Sequence, residues 1–104
     1  MRIYISGPIT NNPEYMEQFA KAAETIKAHG NEYINPAELD KVLPGANWCD
    51  YMAVCWQLVP MADAITFLEG WENSDGAQNE KIAATVWGLK LYDLDSDTFW
   101  ELEP

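Results

Sequence analysis

Apolar positions fall in short, sharply bounded runs, and the spacing within each run predicts its element. Arg2-Ile3-Tyr4-Ile5-Ser6 has the β-branched and aromatic density of a strand, and Gly7-Pro8 stops it. Asn12-Pro13 marks a helix start, with Asn12 as N-cap and Pro13 in the first helical position. Met16, Phe19, Ala20, Ala23 and Ile26 then recur at helical spacing until Gly30 ends the element. Glu32-Tyr33-Ile34 is a short strand closed by Asn35-Pro36, and the stretch to about Ala46 is loop with room for one helical turn. A second helix begins near Asn47, turns Tyr51, Cys55, Leu58 and Val59 inward, and ends at Pro60. Ala62-Asp63-Ala64-Ile65-Thr66-Phe67-Leu68 is the strongest strand, broken by Glu69-Gly70-Trp71. Asn73-Ser74-Asp75-Gly76 leads into a third helix running to about Trp87. Gly88 caps it, and Leu89-Lys90-Leu91-Tyr92 forms a last strand.

Strands alternating with helix-length crossovers imply a parallel sheet covered by helices on both faces. Right-handed crossovers give an α/β three-layer sandwich with four parallel strands in the order 2-1-3-4. The expected domain is residues 1–92, followed by an acidic tail over 93–104. Asp93, Asp95 and Asp97 alternate in that tail and superficially suggest calcium. The loop lacks the glycine and terminal glutamate of an EF-hand, so a solvated turn is the better reading.

Composition narrows the function. An apolar share of 48% supports one ordinary core. No apolar run approaches a membrane span and nothing resembles a signal peptide, so the expected location is the cytosol. The formal charge of -11, from 17 acidic and 6 basic residues, repels polyanions. Polymeric DNA or RNA and anionic membranes are therefore not expected partners. A single nucleotide remains compatible, because backbone amides at a helix start hold one phosphate without cationic side chains. Cys49 and Cys55 lie far from the lone His29, which is no zinc pattern; buried free thiols are expected, and no metal or other cofactor.

Ligands of open parallel sheets bind at the carboxyl ends of the strands. Those ends carry Ser6-Gly7-Pro8, Asn35-Pro36 and Glu69-Gly70-Trp71, with Ser74 to Glu80 close behind, whereas the opposite ends offer little beyond Asp63. At about 100° per residue, Glu80 projects from the apolar arc of its helix, among Ala77, Ala83, Ala84 and Trp87. Burying a carboxylate without a partner is costly, which disfavours a solvated face. Two readings stay open: a glutamate at the helix start, kept ionised by the dipole and facing a ligand, or one that caps the helix. Ser74 either caps the same helix or holds a phosphate. Tyr4 is a packed strand aromatic or a hydroxyl reaching the site, and Trp71 stacks a base or covers an edge.

Tyr4-Ile5-Ser6-Gly7-Pro8-Ile9-Thr10, Asn35-Pro36, Tyr51-Met52, Ala62-Asp63-Ala64-Ile65, Gly70-Trp71 and Ser74-x-Gly76-x-x-x-Glu80 together resemble the small, often phage-encoded branch of the nucleoside 2-deoxyribosyltransferase superfamily. The resemblance spans residues 1 to about 92 and implies a flavodoxin-like fold and a homodimer or larger assembly. Surplus tryptophans, five in this chain, point the same way. It further implies an N-glycosidase or deoxyribosyltransferase acting on a (deoxy)nucleoside monophosphate. Glu80 would be the nucleophile on the anomeric carbon, Tyr4 its neighbouring tyrosine, Ser74 the phosphate contact and Gly7 the glycine of the first loop. Ser6, Pro8, Asn35, Trp71 and Gly76 complete the expected substrate-binding set. Cys55 departs from the pattern, since the glycosidases place an aspartate there to activate the base or orient the nucleophile. A non-catalytic nucleotide-binding protein that senses or sequesters its ligand is the alternative.

Overall fold

The computed structural model describes residues 1–95 and 98–102. Five strands form one sheet: β1 (Arg2–Ser6), β2 (Glu32–Ile34), β3 (Ala64–Phe67), β4 (Lys90–Asp95) and β5 (Thr98–Leu102), in the order β2-β1-β3-β4-β5. The β1–β2, β1–β3 and β3–β4 pairs are parallel, with Tyr4 opposite Ile65 and Ser6 opposite Phe67. The expected α/β sandwich with its 2-1-3-4 order is thus present, extended by one strand.

That extra strand corrects the reading of the C-terminal segment. β4 runs on to Asp95, and β5 pairs with it antiparallel. The acidic alternation concealed an apolar one. Leu94 is buried, Phe99 packs edge-on against Tyr92 and His29, and Asp93 and Asp95 take the alternate positions of β4. Asp97 lies outside the described residues.

Four helices flank the sheet: α1 (Tyr15–Ala28), the short α2 (Leu39–Val42), α3 (Trp48–Leu58) and α4 (Asp75–Val86). Because side chains alternate along β1, Ile3 and Ile5 face α1 and pack with Phe19, Ala22, Ala23 and Ile26. Tyr4 faces the other way, into a cluster with Cys55, Ala83, Ala84, Ile65 and Phe67. The α1 stripe differs from expectation, since Met16 and Ala20 are exposed and Tyr15 and Ala22 take their places. The helix also starts later than Pro13. Asn12 instead closes a preceding turn, accepting from the Glu14 amide at 3.3 Å and donating to the Pro8 carbonyl at 2.8 Å. α1 and α4 end alike, with Gly30 and Gly88 at positive φ (82° and 73°), a conformation that favours glycine. Among the described residues no helix is long and apolar enough to cross a membrane.

The turn leaving β1 is close-packed for a steric reason. A Cβ on Gly7 would stand 3.0 Å from Leu68 Cβ and 3.4 Å from the Phe19 ring. Gly7→Ala is therefore expected to cost about 1–3 kcal/mol through overpacking, measured by urea unfolding. Stability equal to the parent would show that Leu68 has room to retreat.

Candidate active site

The site is built where β1 meets α4. Alternation along β1 puts Tyr4 and Ser6 on the same face, and both are fully enclosed. α4 directs Glu80 onto that pair. The Tyr4 hydroxyl donates to Glu80 Oε2, and Ser6 Oγ donates to Oε1 at 2.7 Å. Glu80 is only 5% exposed, so both carboxylate oxygens have protein partners inside the fold.

This geometry settles one of the open readings. Glu80 is the sixth residue of α4, beyond the first turn, and does not cap the helix. Capping falls to Ser74, whose Oγ accepts from the Ala77 amide at 3.2 Å. The expectation that the helix dipole keeps Glu80 ionised is corrected as well. Burial pushes its carboxyl up to about 7, although hydrogen bonds from Tyr4 and Ser6 and the Cys55 thiol pull it back down. Near neutrality the protonated and ionised forms coexist. Burial, then the Glu80 charge, drives Tyr4 well above its ordinary value, so it remains a donor. Cys55 is fully buried beside the pair, and burial pushes its thiol up to about 12. Cys49, by contrast with the expected burial of both thiols, is exposed.

Above this carboxylate opens a cavity of about 640 Å³, within the range of small-molecule sites. Gly7, Pro8, Ser74, Gly76 and Glu80 line it. Four expected residues stand elsewhere, among them Tyr4, which is fully enclosed and bonded to Glu80. Ser6 lies beneath the floor, where it holds Glu80. Asn35 turns its side chain to the Ala37 amide at 3.0 Å and caps a 3-10 turn over Pro36–Glu38. Trp71 packs on Phe67 at 4.5 Å between ring centroids, with Lys81 Nζ 5.2 Å from its own ring. It does not line this cavity.

Other lining residues carried no chemistry in the sequence reading. Tyr15 on α1 donates its hydroxyl to Asp40 on α2, joining two elements across the cavity mouth. The Asp40 carboxylate bonded to that hydroxyl raises the Tyr15 pKa. Trp48 opens α3, and its Nε1 lies near the start of α4, 3.8 Å from where a Cβ on Gly76 would stand. Only tertiary packing of separate helices brings these groups together, and no local spacing announces it. The lining holds Asp40, Asp75 and Glu80 but no lysine, arginine or histidine. Among the described residues no group of three His, Cys, Asp or Glu side chains is gathered as a metal site would require.

A family model described as a domain of unknown function, DUF4406, matches residues 1–93. No curated protein matches the chain. Among solved structures, the chain is similar to the 2-deoxyribosyltransferase of the psychrotolerant bacterium Bacillus psychrosaccharolyticus, described as a biocatalyst for nucleoside synthesis. The two share 18% identity with a TM-score of 0.64, covering 88% of this chain and 69% of that one.

Burial of Glu80 has a consequence for stability. Its carboxyl is raised from 4.5 to about 7, so the fold prefers the protonated form. That contribution is fully present below the unfolded value, falls as pH rises toward 7, and is gone above it. Glu80→Gln should therefore out-stabilise the parent at pH 8 by a few kcal/mol, with a much smaller gap at pH 5. Urea unfolding at both pH values checks this, and a gap independent of pH would contradict the raised carboxyl.

Proposed function

We propose that this chain, which belongs to the DUF4406 family, cleaves the N-glycosidic bond of a nucleoside or deoxynucleoside monophosphate, as an N-glycosidase or a deoxyribosyltransferase. One observation carries the reading: a carboxylate, that of Glu80, gripped by two hydroxyls at the floor of a nucleotide-sized cavity. The likeness in fold to a 2-deoxyribosyltransferase supports it.

In this reaction a Glu80 oxygen bonds to the anomeric carbon while the C–N bond breaks. Its electron pair leaves with the base, which takes up a proton. Water then attacks the glycosyl–glutamate ester, releasing the sugar phosphate and restoring the carboxylate; a second base in place of water gives transfer. Tyr4 and Ser6 each hold one oxygen, and Tyr4 also favours the ionised form needed for attack. The phosphate would sit at the start of α4, against Ser74 and the free amides of the first turn. With no cation in the lining, these neutral donors would carry its recognition. A cytosolic location suits such a substrate.

The buried Cys55 favours a second reading. Where the resemblance calls for an aspartate, a thiol held at about 12 cannot pass a proton to or from the base at neutral pH. The protein would then bind nucleotides without cleaving them, as a sensor or a store.

A panel of nucleosides and their 5′-monophosphates separates the two. Free base is read by chromatography, binding by thermal shift. The enzyme reading expects base release that rises with pH through about 7, as Glu80 ionises. Glu80→Gln should abolish release by several orders of magnitude and preserve binding, and Ser74→Ala should weaken monophosphates far more than nucleosides. Binding without release supports the store, and undiminished release from Glu80→Gln refutes the nucleophile.

The proposal includes a homodimer or larger assembly. Ile82, Val86 and Trp87, on the outer side of α4, are 57%, 76% and 62% exposed, an apolar surface suited to a second copy. Light scattering at micromolar concentration should give at least twice the chain mass, and a monomeric mass would count against assembly.

A further inference from the structure

Among the described residues, two side-chain oxygens are buried without a hydrogen-bond partner: Thr66 Oγ1 and the Tyr51 hydroxyl. Thr66 is fully enclosed within the central strand and lines no cavity. Tyr51 lies in the wall of the Glu80 cavity. An orphaned buried hydroxyl is costly relative to a paired one; the Tyr51 ring packs against the core cluster that holds Cys55, but its hydroxyl finds no partner there. The residue stands one helical turn before Cys55 on α3, so the two share a face. Its hydroxyl has the Cys55 thiol as a neighbour and is close enough to Glu80 to feel that charge. A thiol is a weak partner, and the hydroxyl has no partner within hydrogen-bond geometry. Burial holds the Tyr51 hydroxyl well above its ordinary pKa, so it keeps its proton and can donate.

We propose that Tyr51 is a substrate-binding residue whose hydroxyl donates to a sugar oxygen of the ligand seated against Glu80. The inference rests on the glycosidase reading for the identity of that ligand. If the anomeric carbon lies against the Glu80 carboxylate, the furanose oxygens are the nearest acceptors to a hydroxyl beside that carboxylate. A bound sugar supplies the acceptor that the empty fold leaves out, so pairing contributes wholly to binding. Met52 beside it is apolar, and Cys55 one turn further along α3 is fully buried.

The test is Tyr51→Phe, which deletes one oxygen and keeps the ring. Urea unfolding reads the ligand-free protein. Calorimetric titration with 2-deoxyribose 5-phosphate and with 2-deoxynucleoside 5′-monophosphates reads binding. The expected result is unchanged or higher stability without ligand, and affinity about tenfold weaker for the sugar phosphate and the nucleotides alike. Affinity equal to the parent overturns the role of Tyr51 and leaves the glycosidase reading standing. Lower stability without ligand overturns it too, because the hydroxyl would then serve the fold. Loss confined to the nucleotides, with the sugar phosphate bound as before, would move the contact to the base and refute the sugar assignment. A parent that binds none of these probes overturns this inference and the glycosidase reading together.

Discussion

Glu80 is held inside the fold by two hydroxyls from a single strand, and the surrounding architecture is arranged so that this pairing can exist. A buried carboxylate without partners would be too costly to keep. Tyr4 and Ser6 supply them only because they sit two residues apart on β1, facing the side where α4 packs. Parallel pairing with β2 and β3 makes β1 an interior strand of the sheet, with Ser6 level with Phe67 at the carboxyl edge. The small residues of α4, Ala77, Ala83 and Ala84, let the helix come close enough for the glutamate to reach. Displacing any of these elements would strand a charge.

The same enclosure sets the chemistry. A carboxylate in water would be fully ionised at neutral pH and well solvated, which makes it a poor nucleophile. Burial brings Glu80 up to about 7, while the two hydroxyls prevent it from remaining wholly protonated. The cavity above is acidic and lacks cations. Anion recognition there would depend on helix-start amides and neutral donors, in keeping with a chain of net charge -11. The buried thiol of Cys55 adds no titrating group near neutrality.

Much of this was legible in the sequence, for reasons that differ by residue. The strand alternation that places Tyr4 and Ser6 together is a local property, as is the helical phase that sets Glu80 on the apolar arc of α4. Glycine ends at Gly30 and Gly88 were equally plain. Failures came where tertiary packing overrides local pattern. Asp93 and Asp95 look solvated by composition, yet Leu94 and Phe99 between and beyond them bury enough to add β5 to the sheet. Trp71 follows a strand end and so looked available to a base, whereas its contact with Phe67 turns it away from the cavity. Asp40 and Trp48 reach the cavity from separate segments, and only the packed fold joins them. Ser6 was recognised as part of the site but not as a support for the carboxylate, because which hydroxyl lies beneath and which above depends on the depth of α4.

The chemistry of the site depends on the protonation state of one side chain. Carbon-13 labelling of glutamate side chains, with the Glu80 carboxyl resonance assigned by its loss in Glu80→Gln, allows a direct titration by NMR. The account expects a midpoint near 7 in the ligand-free protein. A midpoint in the ordinary carboxylate range, about 4.3, would contradict it, since burial would then not govern the Glu80 carboxyl.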